Sequence, residues 1–187
     1  MTNLTYRYPT HLIDVVVLAD ASRVVIRPAL PQDSDLQRAF VRNLSDEARY
    51  FRFMTRLSEL SDAMAQRFTS IDYRSHVALI ATISEAAGET MIGEARYIVD
   101  ACEFAIAVAD DAQGIGLAST LLGRLVDHAA ASGINRISAD TLSAVRIGFT
   151  VARKREDGRM VRLVKDLPAH KEHATVCAVP AECTVAA

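Results

Sequence analysis

The sequence lacks several features that would assign it to a specialised class of protein. No apolar run approaches the ~18 residues of a membrane-spanning helix, and no basic and apolar leader opens the chain. The formal net charge is only −2, with 50% hydrophobic and 24% charged residues. This balance argues against disorder and against a broad nucleic-acid interface. We therefore expect neither a membrane nor a nucleic acid as a partner.

Cysteine is also scarce, and its placement predicts no disulfide framework. The chain has three cysteines, Cys102, Cys177 and Cys183, an odd number at uneven spacing. Such usage is typical of a reducing compartment. We therefore expect a soluble protein in the cytoplasm.

The length of 187 residues suits one domain and a tail. We predict a domain over residues 1–167 and a poorly ordered tail over 168–187, where small residues follow no period. The tail carries an H-x-x-H…C…C series: His170, His173, Cys177 and Cys183. This spacing matches no familiar metal site, so an unstructured tail is favoured and no metal is expected.

The hydrophobic pattern predicts a helical part followed by a run of strands. LIDVVVLADASRVVIRP is typical of a hairpin, and helical periods follow over 34–44, 46–53 and 60–68. The segments HVALIATIS, ETMIGEARYIVD and CEFAIAV then predict an antiparallel meander. A leucine stripe at helical spacing, from Leu117 to Ala129, ends near Gly133, and RISAD, GFTVA and MVRLVKDL predict three closing strands. The expected fold is a single α/β domain with a mixed, mostly antiparallel sheet.

The junction VADDAQGIGLASTLL places two glycines where a strand passes into a helix. Such a junction leaves backbone N–H groups unpaired at the positive end of a helix dipole, which suits a phosphate. A plain tight turn is one alternative, and a dinucleotide site is another, since Asp140 follows about 20 residues later. Ser119 at the third glycine position and the antiparallel strands before the loop argue against the dinucleotide site.

A more specific pattern is Gln-x-x-Gly-x-Gly/Ala, formed here by Gln113, Gly116 and Ala118. It resembles the pyrophosphate-binding motif of the GCN5-related N-acetyltransferase (GNAT) superfamily. LSDEARYFRF, DYRSHVALIA, IGEARYIVD, CEFAIAVADDAQG and IGF…VRLVKDL are similar, in that order, to the acetyltransferase domain of bacterial protein-lysine acetyltransferases. The resemblance covers roughly residues 8–167 and implies transfer of an acetyl group from acetyl-CoA to a primary amine, with a protein lysine as the expected acceptor.

The resemblance also implies which residues hold the acetyl-CoA. The pyrophosphate would bind the loop and helix start: Gln113, Gly114, Ile115, Gly116, Leu117, Ala118 and Ser119. The pantetheine arm would pair with the preceding strand, at Ile106, Ala107 and Val108. Alternation in this strand puts Glu103 on one face with two alanines, which leaves room for a thin chain. Alanines that make room for a packed helix are the alternative.

Glu103 is the candidate general base, because a glutamate of the matching E-x-A-x-x-V segment has that role in the related lysine acetyltransferases. Backbone N–H groups near 106–108 could stabilise the oxyanion on the thioester. Arg96, in the neighbouring strand, would either orient Glu103 or lie on the sheet surface. The arginines and aromatic residues of 42–56 could bind an acceptor or form an ordinary amphipathic helix.

Two departures from the family bear on the binding and chemistry of the cofactor. Ile115 occupies a position that is often basic, so the loop depends on backbone N–H groups and we expect weaker binding. Residues 141–147 leave room for about two helical turns, which predicts a shortened late helix. This segment has no asparagine or tyrosine, so the thiolate would take its proton from water. A non-catalytic acyl-CoA-binding regulatory module and an NAD-binding domain are therefore kept as alternatives.

Overall fold

The computed structural model describes residues 7–86, 88–99, 103–141, 150–154 and 161–167. The strands of this part are β1 Asp14–Val17, β2 Arg23–Pro28, β3 His76–Glu85, β4 Gly88–Ile98, β5 Glu103–Val108, β6 Arg136–Thr141, β7 Thr150–Lys154 and β8 Val161–Asp166. The helices are α1 Ser34–Asn43, α2 Asp46–Phe53, α3 Asp62–Thr69 and α4 Leu117–Ala131. The order of elements agrees with the sequence analysis, and the predicted shortened helix and tail lie mainly at 142–149 and 168–187, outside the described residues.

The described strands form one sheet in the order β1-β2-β3-β4-β5-β6-β8-β7. Among them, β5 and β6 are the only parallel neighbours. The predicted mixed, mostly antiparallel sheet is confirmed. The parallel sheet that a dinucleotide-binding domain requires is not the architecture of these strands.

β5 and β6 are joined at a single position. Their register holds one residue pair, Glu103 with Ser138, whereas β4 and β5 pair along six positions. The two strands therefore separate beyond this pair, toward the start of α4. Over residues 105–108, the described register gives no strand partner to the edge of β5 that faces β6.

Helices cover both faces of the sheet, and each face has its own hydrophobic core. On the α4 face, the stripe of Leu117, Leu121, Leu125 and Ala129 is almost completely buried. On the opposite face, α1 and α3 pack over the sheet through residues that include Phe40. β3 contributes alternate residues to the two cores, which explains its nearly continuous apolar sequence.

α4 approaches the sheet closely at Gly93 of β4. A β-carbon on Gly93 would lie 3.1 Å from Leu121 Cδ1 and 3.2 Å from Leu117 Cδ2. The absence of a side chain at this position lets α4 pack directly on the strand. The helix ends as predicted, where Gly133 takes a φ of +79°.

Candidate functional site

The loop between β5 and α4 holds two glycines in a backbone conformation that other residues rarely adopt. It begins with a short 3-10 turn at Asp110–Ala112; beyond it Gly114 has a φ of +78° and Gly116 a φ of +91°. A non-glycine residue in a sparsely populated region of this kind costs about 1–3 kcal/mol. Among the described residues, no atom beyond the chain neighbours lies within 4 Å of a β-carbon placed on either glycine. Backbone conformation, rather than crowding, therefore explains both glycines.

α4 begins directly after this loop. Gly116 is its N-cap residue, and no side chain caps the helix there. The Gly116 carbonyl accepts the first hydrogen bond of the helix, from Thr120 N at 3.1 Å. The N–H groups of Leu117, Ala118 and Ser119 have no acceptor within the helix and lie at its positive end. This arrangement suits an anion such as a phosphate.

Two contacts hold the loop against the rest of the protein. Ala19 N, in the β1–β2 turn, donates to the carbonyl of Ile115 at 3.3 Å. Asp110 accepts hydrogen bonds from the backbone N of Ser45 at 2.8 Å and from its hydroxyl at 2.7 Å. These hydrogen bonds, the backbone one first, lower the pKa of Asp110. Because Ser45 also caps α2, the loop is tied to the start of that helix.

β5 leads to this loop and presents small residues on one face. Ile106 and Val108 pack against the core on the α4 face, and Ala107 packs against the core on the opposite face. The alternation predicted for β5 is thus present in these residues. Ala105 pairs with Arg96 of β4, and Ala107 pairs with Glu94.

A model of the acetyltransferase (GNAT) family matches residues 40–149 of the chain. The chain belongs to the GNAT family. A Pseudomonas aeruginosa relative with the name Acetyltransferase PA5475 is 31% identical over 156 residues, which cover 77% of this chain and 84% of the relative. The resemblance found in the sequence is therefore confirmed.

Two further acetyltransferases are similar to this chain. Acetyltransferase Pat of Mycolicibacterium smegmatis is 30% identical over 123 residues, which cover 63% of this chain and 36% of Pat. The match therefore spans about a third of the length of Pat. The crystal structure of the GNAT domain of S. lividans PAT has a TM-score of 0.75 and 34% identity, covering 86% of this chain and 100% of that domain.

The site residues expected from the sequence fall at the two ends of β5 in this GNAT structure. Residues 106–108 and 113–119 lie together around the C-terminal end of β5 and the start of α4. The backbone of Glu103 lies at the other end of the strand, where β5 meets β6. Val108 lies five positions after Glu103, which corresponds to ~17 Å along an extended strand.

A buried ionic group next to β5 was not foreseen. Arg52 of α2 donates from Nε to Glu94 Oε1 at 2.7 Å, and Arg96 donates from Nη2 to Glu94 Oε2 at 2.6 Å. Gln37 of α1 donates to the same Oε2 at 3.0 Å. Glu94 is completely buried, and the side chains of Arg52 and Arg96 are 8% and 6% exposed. We call Arg52, Glu94 and Arg96 the charged cluster.

The charged cluster remains ionised despite its burial. Burial alone would raise the pKa of Glu94, but the charges of Arg52 and Arg96 and their hydrogen bonds hold it at about 2. Burial lowers the pKa of Arg96, and the charge of Glu94 opposes this. Glu94 is therefore a carboxylate at neutral pH, and both arginines carry their charge.

The structure corrects two interpretations of the arginines. Arg96 does not lie on the sheet surface: it is buried, binds Glu94 and donates to the carbonyl of Phe68 at 3.0 Å. On α2, Arg52 lies inside together with Phe53, while Tyr50 and Phe51 are 46% and 39% exposed, so the arginines and the aromatic residues do not lie on opposite sides of the helix. Two charges at alternate positions of the apolar strand segment IGEARY were the available signal for an ion pair within the sheet face.

His76 lies beside the charged cluster and should make the stability of the protein depend on pH. Its Nε2 is 3.3 Å from Arg96 Nη1, which can donate to it only while the imidazole is neutral. Burial, with the charge of Arg96, lowers the pKa of His76 to about 4. In the unfolded chain histidine titrates near ~6.5, so the unfolded state alone gains a proton as the pH falls from ~6.5 to 4. This contribution to stability is full above pH ~6.5 and is lost across that interval.

We therefore expect the free energy of unfolding, measured in urea, to fall between pH ~7 and ~4 more steeply for the parent than for His76→Gln. The pKa of His128 is also lowered by burial, so part of the slope should remain in the variant. His11→Gln, at an exposed position, serves as the control. Equal slopes for the parent and His76→Gln would exclude this role of His76.

Proposed function

We propose that this protein transfers the acetyl group of acetyl-CoA to a primary amine, with a protein lysine as the acceptor. The observation that carries the proposal is the separation of β5 from β6 after one residue pair, directly before a two-glycine loop at the start of α4. A strand edge without a strand partner over 105–108, followed in the sequence by a helix N-terminus, suits a ligand with an amide-containing arm and a phosphate end. Pantetheine and pyrophosphate are the corresponding parts of coenzyme A.

In this proposal, the cofactor binds mainly to backbone groups. The N–H groups of 113–119 hold the pyrophosphate, and the backbone of 106–108 pairs with the pantetheine arm. Ile115 packs against the core on the α4 face, so the position that could carry a cation serves packing instead. Affinity then depends on the conformation of the loop, which the two glycines set.

The chemistry requires a proton acceptor, because a lysine amine is mostly protonated at neutral pH. We assign this role to Glu103, at the point where β5 and β6 begin to separate. The amine attacks the thioester carbon, and N–H groups of 106–108 stabilise the oxyanion. The departing thiolate takes its proton from water.

The choice of a protein lysine rests on the similarity of five sequence segments, in order, to protein-lysine acetyltransferase domains. We also propose that residues 1–167 form the catalytic domain and 168–187 a tail, and that the protein works in the cytoplasm, as the cysteine content suggests. The alternative function is a regulatory module that binds acetyl-CoA without turnover. Binding of acetyl-CoA with no transfer to any amine in a panel would select it.

Ligand-dependent stability tests the cofactor site. Acetyl-CoA at ~100 times its dissociation constant should add about 2.7 kcal/mol and raise the melting temperature by roughly 5–10 °C, whereas NAD should not. Gly116→Val should weaken acetyl-CoA binding about 10- to 100-fold, because valine opposes the φ of +91° and the loop must change conformation.

Gly88→Val is the matched control for this test. Gly88, the first residue of β4, also has a positive φ, +125°, with open space around its β-carbon position. Both variants should lose stability through backbone strain, but only Gly116→Val should lose affinity in calorimetry. Unchanged affinity in a folded Gly116→Val protein, or stabilisation by NAD alone, would refute the cofactor site.

A further inference from the structure

Among the side chains that the structure describes, the charged cluster holds two guanidinium groups and one carboxylate, a net charge of +1 inside the protein. Two guanidinium groups, of Arg52 and Arg96, share the single carboxylate of Glu94. The neighbouring His76 is neutral at physiological pH, because burial lowers its pKa to about 4. A buried charge without a counter-ion is costly, so an unbalanced cluster needs a reason other than stability.

The guanidinium groups also have unused donors. Arg52 Nη2 and Arg96 Nε are buried, and neither has a hydrogen-bond partner among the described residues. Both arginines lie near the ring of Phe68, with the guanidinium carbon of Arg96 4.2 Å and that of Arg52 5.3 Å from its centre. These contacts fix the arginines without neutralising them.

The position of the cluster connects it to β5. Arg96 is directly opposite Ala105 in the register, and Glu94 is opposite Ala107. Directly opposed residues in an antiparallel pair have β-carbons ~4.5–5.5 Å apart on the same face of the sheet. The positive charge therefore lies next to the two small residues along which the acyl-pantetheine is proposed to run.

We propose that the charged cluster stabilises the negative charge that develops on the cofactor during transfer, above all on the departing sulfur. This inference rests on the proposed function. It identifies Arg52 as a positioning and electrostatic residue, which acts through space and does not touch the substrate. In a medium of low effective dielectric constant, a nearby unit positive charge substantially lowers the free energy of a thiolate.

The step that needs this charge can be written in full. The acceptor reacts as the neutral amine, after its ammonium proton has passed to the solvent. The amine nitrogen forms a bond to the thioester carbon, and the carbonyl π electrons move to oxygen. When the C=O bond forms again, the C–S bond breaks and its electron pair remains on sulfur as a thiolate. The proton of the amine passes to Glu103, and the thiolate later takes a proton from water. No tyrosine in 141–147 is available to protonate it, so a nearby positive charge takes on part of that task.

The charged and titratable groups around the cluster come from every element packed on it. α1 contributes the neutral Gln37, α2 contributes Arg52, and β3 contributes His76. β4 contributes Glu94 and Arg96, and the turn before β3 contributes Asp72, whose charge acts on His76.

Titration of the thiol of bound coenzyme A tests the inference without any turnover. The thiolate is followed by its ultraviolet absorbance in protein saturated with coenzyme A, and calorimetry checks saturation. We expect the bound thiol to ionise at a lower pH than free coenzyme A. Arg52→Met should move the titration up by about one pH unit, which is the effect of a unit charge ~10 Å from the sulfur at an effective dielectric constant of ~20.

Three further variants separate charge from structure. Arg52→Lys keeps the charge and should titrate as the parent does; Arg52→Gln repeats the neutral substitution with a polar side chain. Arg56→Met removes one exposed positive charge just beyond α2, so the net charge changes equally without affecting the cluster. Removal of Arg52 leaves Glu94 paired with Arg96 as a neutral pair, so the neutral variants are expected to fold.

The possible outcomes lead to different conclusions. An identical thiol titration in the parent and in both neutral variants, all with coenzyme A bound, would overturn this inference and leave the proposed function intact. An equal shift in Arg52→Lys and Arg52→Met would also overturn it, because geometry rather than charge would be responsible. A parent protein that does not bind coenzyme A would refute the proposed function and this inference together.

Discussion

Glu103→Gln should lower the rate of acetyl transfer by ~10²–10⁴-fold, which is the usual effect of losing an acid–base group. Acetyl-CoA binding should be retained, because the proposed cofactor contacts are backbone groups of 106–108 and 113–119. We therefore expect a lower steady-state rate with an amine acceptor and an unchanged affinity for acetyl-CoA in calorimetry.

The pH dependence gives a second test of the same residue. The rate of the parent should rise with pH as Glu103 and then the acceptor amine lose protons, and Glu103→Gln should lack the lower part of this rise. Glu85→Gln, which changes an exposed glutamate at the end of β3, is the matched control and should behave as the parent does. A full rate in Glu103→Gln would mean that another group or a water chain is the base.

Glu94→Gln should reduce the free energy of unfolding by about 3–5 kcal/mol at pH ~7. It leaves Arg52 and Arg96 as two buried cations with no carboxylate between them. Since a typical domain is stable by only ~5–15 kcal/mol, this is a large fraction of the total. Urea unfolding followed by circular dichroism measures the difference.

Glu89→Gln is the control on the same strand. Glu89 also pairs with an arginine, Arg27, at 3.2 Å, but its side chain is 41% exposed, so the loss should stay within ~1 kcal/mol. Equal losses in the two variants would show that burial of Glu94 has no special effect.

The contribution of Glu94 to the stability of the protein should also depend on pH within a defined interval. The pKa of Glu94 is about 2 in the folded protein, against ~4.3 in an unfolded chain. The stability contributed by its ionised form is therefore full above pH ~4.3 and disappears as the pH falls toward 2. The parent and Glu94→Gln should differ less at pH ~3 than at pH ~7.

The elements of the fold could be predicted because their sequence patterns are local. The leucine stripe of α4 has one helical period, and the two glycines of the loop need a φ that few other residues adopt. The antiparallel meander followed from three β-rich segments with short connections. None of these predictions needed to know which residues meet across the sheet.

The charged cluster could not be predicted for the opposite reason. Arg52 and Glu94 are 42 positions apart. They meet only because α2 packs against β5, the strand next to β4. Charged residues are most often exposed, so nothing in the sequence alone predicted a buried position for Arg52 and Arg96. The interior place of both arginines follows from strand register and helix docking, which are tertiary properties.

The side chain that Gly93 lacks also affects the proposed cofactor site. Leu117, which would collide with a β-carbon there, is the first residue of α4 and follows Gly116 directly. A side chain at position 93 would require Leu117 and Leu121 to shift by a few tenths of an ångström, at the end of α4 that carries the free N–H groups. Gly93 therefore helps to set the direction of the N–H groups at the start of α4, although it does not contact the proposed phosphate. A substitution at Gly93 should change the affinity for the cofactor from outside the binding site.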